Sequence, residues 1–231
     1  MIFIFDLDET LYAEKNFVLS GFKVVAKYLN VKHNLNYQRT FKDLKTIMKI
    51  HGRGKIFDKL LKKKKIYSKK IIKKLIFIYQ HHRPEIKIKR EALRVLKKLS
   101  KKNKLYLLTD GFFKTQQSKV AALRIKKYFK KIYYTGYYGQ GFEKPSLKCF
   151  KMIKDKEKCD WLKLIYIADN PIKDFINLNK KQVVTVRVLQ GIYKNTKVKK
   201  VFDGLYKINS LNEFLYLAKK KNWNYNAKTY K

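Results

Sequence analysis

The chain opens with Met1-Ile-Phe-Ile-Phe-Asp-Leu-Asp-Glu-Thr10, an apolar run of β-forming residues that ends in two carboxylates two positions apart. Alternate side chains of a strand point to the same face, so Asp6 and Asp8, where the run ends, can reach one point in space. Two carboxylates at one point are unfavourable unless a cation or a proton lies between them. The stretch therefore predicts a strand that places a charged site at its carboxyl end.

Four further apolar runs share the character of the first. The five runs cover residues 2–6, 104–109, 131–135, 164–168 and 183–188. Unbroken apolar runs rich in Ile, Val, Leu and Tyr are typical of parallel strands covered on both faces. Helical patterns lie between them, which predicts an α/β fold: a three-layer, Rossmann-like core with a doubly wound parallel sheet of about five strands. In such a sheet the ligand binds at the carboxyl ends of the strands.

The gap between the first two predicted strands is far longer than a loop requires. It carries helical patterns of its own, over residues 17–29, 38–50, 55–61 and 68–80. We therefore predict an inserted α-helical cap subdomain over residues 14–83, with residues 1–13 and 84–231 forming the core. The break His51-Gly-Arg-Gly54 predicts a loop from which His51 and Arg53 contact a substrate.

The charge of the chain is strongly positive, +40 at pH 7, from 57 basic and 17 acidic residues. Such a charge favours polyanionic partners. However, 50 of the basic residues are Lys and 7 are Arg, the residue that recognises phosphates and bases bidentately. A Lys, Ile, Asn, Tyr and Phe excess is typical of AT-rich coding sequence. We therefore expect no specific nucleic-acid partner and only salt-sensitive, nonspecific attraction to polyanions.

The sequence has no run of 18 or more apolar residues, so we expect no transmembrane helix and no membrane partner. The apolar start is short and lacks the basic flank of a signal peptide. We expect Cys149 and Cys159 to be reduced thiols of a cytoplasmic protein. No pattern in the sequence sets an oligomeric state.

Seven of the 17 acidic residues fall in four short motifs, each at or after the carboxyl end of a predicted strand or in the loop beside it. The motifs are Asp6-Leu-Asp-Glu-Thr10, Thr109-Asp-Gly111, Glu143-Lys-Pro145 and Ala168-Asp-Asn-Pro-Ile-Lys-Asp174. This set, in this order, resembles the haloacid dehalogenase-like (HAD) hydrolase superfamily. The helical insert resembles the type 1 cap of its subfamily I, and the resemblance covers nearly the whole chain.

Phosphoryl transfer is the chemistry that suits this set. A phosphoryl group is negatively charged, so a carboxylate attacks it poorly unless a cation neutralises both. The resemblance implies a Mg²⁺ cofactor held by Asp6, Asp169 and the backbone carbonyl of Asp8. It implies that Asp6 is the nucleophile that forms an aspartyl-phosphate. Asp8 then protonates the leaving oxygen and afterwards takes a proton from the attacking water.

The resemblance also assigns supporting roles. The Thr109 hydroxyl and the backbone amides near Asp110 and Gly111 become donors to the phosphate. Lys144 supplies positive charge against the transferring group, and Asp174 either lies behind the metal or holds Lys144 in place.

Three positions of the motifs need separate mention. We expect Thr10 to be structural and to bond the first loop. Glu9 and Ala168 stand where the family often has Gly, and neither change removes a chemical group that the reaction needs.

The predicted function is hydrolysis of a small phosphate monoester, a sugar phosphate or a nucleotide, by a Mg²⁺-dependent phosphatase. A carboxylate at Asp8 argues against a dehalogenase, which lacks that acid. One alternative is a phosphosugar mutase of the same superfamily, which uses the same Asp6 and Asp8. Another is a basic protein on the same scaffold that binds nucleic acid or another anion.

Overall fold

The computed structural model describes residues 1–223, so the last eight residues of the predicted core lie outside the described range. The chain divides into two compact units. One, here called the sheet unit, comprises Met1–Glu14 and the chain from Lys87 onward, and the other, the helical unit, comprises Lys15–Ile86. The boundaries predicted from the sequence, 13/14 and 83/84, lie one and three residues from these two.

The sheet unit is built on six strands. They are β1 (Ile2–Phe5), β2 (Lys104–Thr109), β3 (Lys131–Tyr134), β4 (Leu164–Ala168), β5 (Val184–Val188) and β6 (Tyr206–Ile208). All neighbouring strands are parallel, in the order β3-β2-β1-β4-β5-β6. The chain extends the sheet on one side of β1 with β2 and β3 and on the other side with β4 to β6. The predicted doubly wound parallel sheet is therefore confirmed.

Four helices follow one another in the helical unit. The other helices of residues 1–223 lie between successive strands or after the last strand. In chain order, the α-helices are α1 (Glu14–His33), α2 (Tyr37–His51), α3 (Ile56–Lys63), α4 (Lys69–His81), α5 (Arg90–Leu99), α6 (Phe113–Leu123), α7 (Thr135–Tyr138), α8 (Lys148–Lys156), α9 (Ile176–Lys180) and α10 (Leu211–Lys220). No helix among residues 1–223 combines the length and the apolar character needed to cross a membrane.

The sheet has one strand more than the five predicted. Strand β6 has three residues, Tyr206-Lys-Ile208, and it pairs with β5 alone. A three-residue segment with a lysine at its centre carries too little apolar pattern to stand out, which is why the sequence prediction missed it.

Both faces of the sheet are covered, which explains the unbroken apolar strands. Phe3 and Phe5 of β1 point to one face, where their rings lie 5.9 and 6.2 Å from that of Phe214 on α10. On the other face, Tyr166 of β4 meets Phe150 of α8 edge-on at 4.9 Å. Burying each such ring contributes about 1.5–3 kcal/mol to stability.

The helical unit has its own core, drawn from α1 to α4. Its buried apolar side chains are Val18, Phe22, Val25, Ala26, Leu29, Leu44, Ile47, Ile56, Leu60, Leu61 and Leu75. Helix α2 begins after Asn36, whose side-chain oxygen accepts a hydrogen bond from the Arg39 amide at 2.9 Å. It ends at His51, where Gly52 takes a positive φ of 67°. The end of α2 coincides with the break in the sequence pattern at His51-Gly-Arg-Gly54.

Candidate active site

The central strands bring the first and fourth motifs together. Asp6 directly follows β1 and Asp169 directly follows β4, and these two strands are neighbours with Phe5 opposite Ile167. The Asp6 amide continues the pairing by donating to the Ile167 carbonyl at 2.9 Å. Both aspartates are buried, with exposed fractions of 6% and 4%. The parallel pairing thus places two buried carboxylates side by side at the carboxyl ends of two neighbouring strands.

Lys144 of the third motif lies in this buried cluster. Its ammonium group is 2.7 Å from Asp6 Oδ1, 2.7 Å from Asp174 Oδ1 and 2.9 Å from the Tyr166 hydroxyl. Burial acts to lower the pKa of Lys144, but Asp174 and Asp6 outweigh it and raise that pKa well above its ordinary value. Lys144 therefore carries its positive charge in the interior.

The carboxylates still exceed the positive charge around them. Burial raises the pKa of Asp6 to about 7, although Lys144 acts to lower it. Burial and the nearby Asp6 raise the pKa of Asp169 to about 9. Within residues 1–223 the Asp169 carboxylate has no hydrogen bond or ion pair. A buried acid without a donor, beside a second acid, is the environment that a divalent cation relieves.

The donor set is compatible with an oxygen-preferring cation such as Mg²⁺. Among the described residues, no three or more His, Cys, Asp or Glu side chains gather into a group that can hold a metal ion. A cation bound by Asp6 and Asp169 therefore takes its remaining ligands from backbone oxygens, water or the substrate.

Asp8 of the first motif makes separate contacts. Its Oδ1 accepts hydrogen bonds from Lys119 Nζ, at 2.7 Å, and from the Tyr12 hydroxyl, and its Oδ2 accepts one from Gln116 Nε2 at 2.9 Å. Burial acts to raise the pKa of Asp8, but Lys119, Tyr12 and Gln116 together lower it. These three contacts therefore favour the ionised form of Asp8.

The second motif is fixed by side chains from several loops. Thr109 is buried, and its hydroxyl accepts a hydrogen bond from Gln116 Nε2 at 2.9 Å. Asp110 Oδ1 accepts from the Thr135 hydroxyl at 3.0 Å and from the Lys144 amide at 3.2 Å. Asp110 Oδ2 pairs with Lys173 at 2.7 Å. Asp110 thus joins the second, third and fourth motifs in one network.

Two glycines keep the backbone of the second motif in place. Gly111 has a φ of 122°, in the region that favours glycine. Its carbonyl oxygen lies 2.3 Å from the position that a Cβ on Gly136 would take. A side chain at residue 136 would therefore push directly against the Gly111 backbone.

The predicted specificity residues lie in the helical unit. Arg53 lines a cavity of about 460 Å³ together with Val18, Phe22 and Tyr79. His51 is the last residue of α2, and its side chain is exposed.

The expectation for Thr10 was wrong in one respect. Thr10 is completely buried, but its hydroxyl finds no hydrogen-bond partner within the described residues. Thr10 therefore packs in the first loop without bonding it.

Sequence reasoning missed Tyr12, Gln116, Lys119 and Tyr166. On α6, Gln116 and Lys119 share the buried face with Val120 and Leu123. The helical spacing contains this signal, because two polar residues continue the stripe of Val120 and Leu123. Tyr166 is a hydroxyl-bearing residue in a strand otherwise made of Leu, Ile and Ala, and its hydroxyl donates to Asp174 at 3.2 Å.

Comparison with known proteins agrees with this architecture. Residues 3–188 match the family described as haloacid dehalogenase-like hydrolase. A curated relative, the glyceraldehyde 3-phosphate phosphatase of Methanocaldococcus jannaschii, is 30% identical over 224 residues, which cover 94% of this chain and 96% of the relative.

Two crystal structures share the fold. YfnB of Bacillus subtilis, assigned to the HAD hydrolases and crystallised bound to magnesium, has a TM-score of 0.66 at 16% identity over 94% of this chain and 97% of its own. The 2-haloacid dehalogenase of Pseudomonas syringae pv. Tomato has a TM-score of 0.65 at 16% identity over 95% of this chain and 98% of its own. At such identities the likeness concerns the fold alone.

A doubly wound parallel sheet with buried carboxylates and a lysine at its carboxyl edge defines an α/β protein with a charged site at the place where such sheets bind ligands. The chain belongs to the haloacid dehalogenase-like hydrolases. The predicted superfamily is therefore confirmed.

Proposed function

We propose that this chain is a Mg²⁺-dependent phosphatase that hydrolyses a small phosphate monoester, a sugar phosphate above all, through an aspartyl-phosphate on Asp6. The observation that carries the proposal is the buried cluster in which Lys144 contacts Asp6 while Asp169 has no hydrogen-bond donor in the described part of the chain. Membership of the HAD-like hydrolases supports it, as does the 30% identity to a glyceraldehyde 3-phosphate phosphatase.

In the first step the Asp6 carboxylate attacks phosphorus, and the bond from phosphorus to the ester oxygen breaks. Asp8 enters this step in its protonated form, carrying the proton taken from water in the preceding turnover, and gives that proton to the ester oxygen as the alcohol leaves. In the second step Asp8 takes a proton from water, which attacks the phosphorus of the aspartyl-phosphate. Inorganic phosphate leaves, and the Asp6 carboxylate is regenerated.

The remaining motif residues stabilise charge and hold the phosphate. Lys144 remains protonated beside Asp6 and offsets the negative charge of the transferring group. The Thr109 hydroxyl and the amides near Asp110 and Gly111 donate to phosphate oxygens. Asp174 keeps Lys144 in place through their 2.7 Å ion pair.

Asp6, Asp169 and the backbone carbonyl of Asp8 would hold the Mg²⁺. When bound, this ion neutralises negative charge on the carboxylate nucleophile and on the phosphoryl group.

The helical unit is the proposed cap, and His51 and Arg53 are its candidate specificity residues. The net charge of +40 favours the approach of anionic substrates in general. The cytoplasm is the proposed compartment.

The test is a screen of phosphorylated metabolites, including glyceraldehyde 3-phosphate, with Mg²⁺ and a readout of released phosphate. Asp6→Asn removes the nucleophile and should abolish turnover. Asp155→Asn is the matched control, because Asp155 is an exposed aspartate whose side chain pairs with the nearby Lys154 at 3.0 Å.

Three results would contradict the proposal. Release of phosphate from none of the esters would support the anion-binding alternative. Recovery of an isomeric sugar phosphate in place of inorganic phosphate would identify a mutase. Full activity in the Asp6→Asn variant would exclude Asp6 as nucleophile.

A further inference from the structure

Helix α6 buries two polar side chains where apolar ones are expected. Gln116 and Lys119 have exposed fractions of 2% and 3%, and they lie on the same face as Val120 and Leu123. Residues three positions apart on a helix are neighbours, so the two side chains point in one direction. A lysine ammonium group is costly to bury unless it is paired, and a helix gains nothing from a buried amide that an apolar residue could not provide. The pair therefore calls for an explanation beyond packing.

Both side chains end on Asp8, one on each carboxylate oxygen. Lys119 Nζ lies 2.7 Å from Oδ1, and Gln116 Nε2 lies 2.9 Å from Oδ2. Lys119 Nζ is also 3.8 Å from Glu14 Oε1, so its nearer acidic partner is Asp8. Two donors on separate oxygens fix the plane of the carboxylate as well as its position.

Gln116 also connects Asp8 to the second motif. Its Nε2 lies 2.9 Å from the Thr109 hydroxyl and within hydrogen-bond distance of the Asp110 carbonyl. Its Oε1 is buried with no hydrogen-bond partner in the described part of the chain. An unpaired buried oxygen is unfavourable. The acceptors around Nε2 therefore fix the orientation of the Gln116 amide, and this orientation leaves Oε1 without a partner among the described residues.

We infer that Lys119 and Gln116 are positioning residues, which aim the Asp8 carboxylate at the oxygen of the leaving group. The inference rests on the proposed function, in which Asp8 gives a proton to that oxygen. If the two residues were purely structural, their substitution would lower kcat by the same factor for every ester. If they position Asp8, their substitution lowers kcat most for esters whose leaving oxygen needs a proton.

The test compares two esters with different leaving groups. An alkyl ester such as glyceraldehyde 3-phosphate leaves as an alkoxide unless it is protonated, whereas p-nitrophenyl phosphate leaves as a stable phenolate. We expect Lys119→Met to lower kcat on the alkyl ester roughly 10²-fold, the lower range for a general acid, with little change in KM. On p-nitrophenyl phosphate we expect a much smaller loss. Lys119→Arg, which keeps the donor, should restore part of the alkyl-ester activity.

Gln116→Met provides a second, uncharged substitution in case Lys119→Met does not fold. The matched controls are Lys114→Met and Gln117→Met, since both residues are exposed on the same helix. They should leave both rates unchanged.

The outcomes separate the two claims. Turnover of both esters by the wild type, with equal losses on both in the Lys119 and Gln116 variants, would overturn the inference and leave the proposed function standing. If the wild type released phosphate from neither of these two esters nor from any ester of the screen, the proposed function itself would be overturned. A loss confined to the alkyl ester supports the inference.

Discussion

Substitution of Asp174 by asparagine tests the buried charge cluster most directly. The Asp174 side chain is 0% exposed, and it accepts from Lys144 Nζ at 2.7 Å, the Tyr166 hydroxyl at 3.2 Å and the Asn170 amide at 3.0 Å. Asparagine keeps the size of the side chain and removes its charge. Among residues 1–223, Lys144 then retains Asp6 as its only anionic partner at ion-pair distance.

The expected cost follows from this geometry. Removing one partner of a buried ion pair destabilises a protein by about 3–5 kcal/mol, because a charge is left uncompensated in the interior. Since Asp6 remains within 2.7 Å of Lys144, we expect the lower end, about 3 kcal/mol. A typical domain has about 5–15 kcal/mol of stability, so the variant should fold with a clearly lower midpoint.

The assay is urea unfolding at neutral pH, followed by circular dichroism, with phosphate release measured on the folded protein. The control is Asp155→Asn, whose exposed pair with Lys154 is worth about 0–1 kcal/mol. The two variants remove the same chemical group, one from the interior and one from the surface.

A loss of less than about 1 kcal/mol for Asp174→Asn, the range of a surface pair, would refute the reasoning. It would mean that Lys144 does not depend on Asp174 for its charge. A large loss that was matched by Asp155→Asn would equally refute it, because the effect would then not come from burial.

Three further predictions concern the loop of the second motif, the acid stability and the cofactor. Gly136→Ala should lower kcat roughly 10²-fold with a modest change in melting temperature, because its Cβ would meet the Gly111 carbonyl and displace the loop that we propose binds the phosphate. Lys104, Lys130 and the Tyr106 hydroxyl outweigh burial and lower the pKa of Glu157 from 4.5 to about 2. The resulting stabilisation is present above pH 4.5 and is lost as the pH falls toward 2. Unfolding titrations should show a loss of about 1–2 kcal/mol in the free energy of unfolding over this range, a value reduced because the two lysines are exposed. Glu157→Gln should abolish this pH dependence. Chelation of divalent cations should abolish phosphate release, and added Mg²⁺ should restore it; activity that survives chelation would exclude the proposed cofactor.

The fold was predictable from the sequence because its signals are local. Each of the five predicted strands is an apolar run, buried throughout in β1 and β4 and least in the outer strand β3, and all five are present with ends shifted by one residue at most. The pattern failed where an element is very short, as in β6. The helical pattern over residues 115–127 likewise extends past the end of α6, which stops at Leu123, where Arg124 takes a φ of 54°.

The site was predictable only in part, for a related reason. Asp6, Asp8 and Lys144 stand in ordered motifs next to strand ends, so their proximity follows from the topology of a parallel sheet. Gln116 and Lys119 have no motif of their own, and their approach to Asp8 depends on how one helix packs after the second motif. Such contacts across the fold cannot be read from spacing alone.

Lysine burial shows where the positive charge of this chain matters. Of the 50 lysines in the sequence, only Lys119 and Lys144 are buried among residues 1–223. Each forms a 2.7 Å ion pair with an aspartate of the first motif. The other described lysines reach solvent to some degree, so the net charge of +40 is mostly a surface property. Selective burial of two lysines against acids is costly and therefore points to a site.

The same two lysines leave the site short of positive charge. The carboxylates at ion-pair distance from them are Asp6 and Asp174 for Lys144 and Asp8 and Glu14 for Lys119. These carboxylates outnumber the two ammonium groups, and Asp169, whose pKa is raised to about 9 by burial and by the nearby Asp6, adds a further acid to the site. The proposed Mg²⁺ therefore completes a charge balance that the protein side chains leave open, and binding should release any proton that Asp169 holds in its absence.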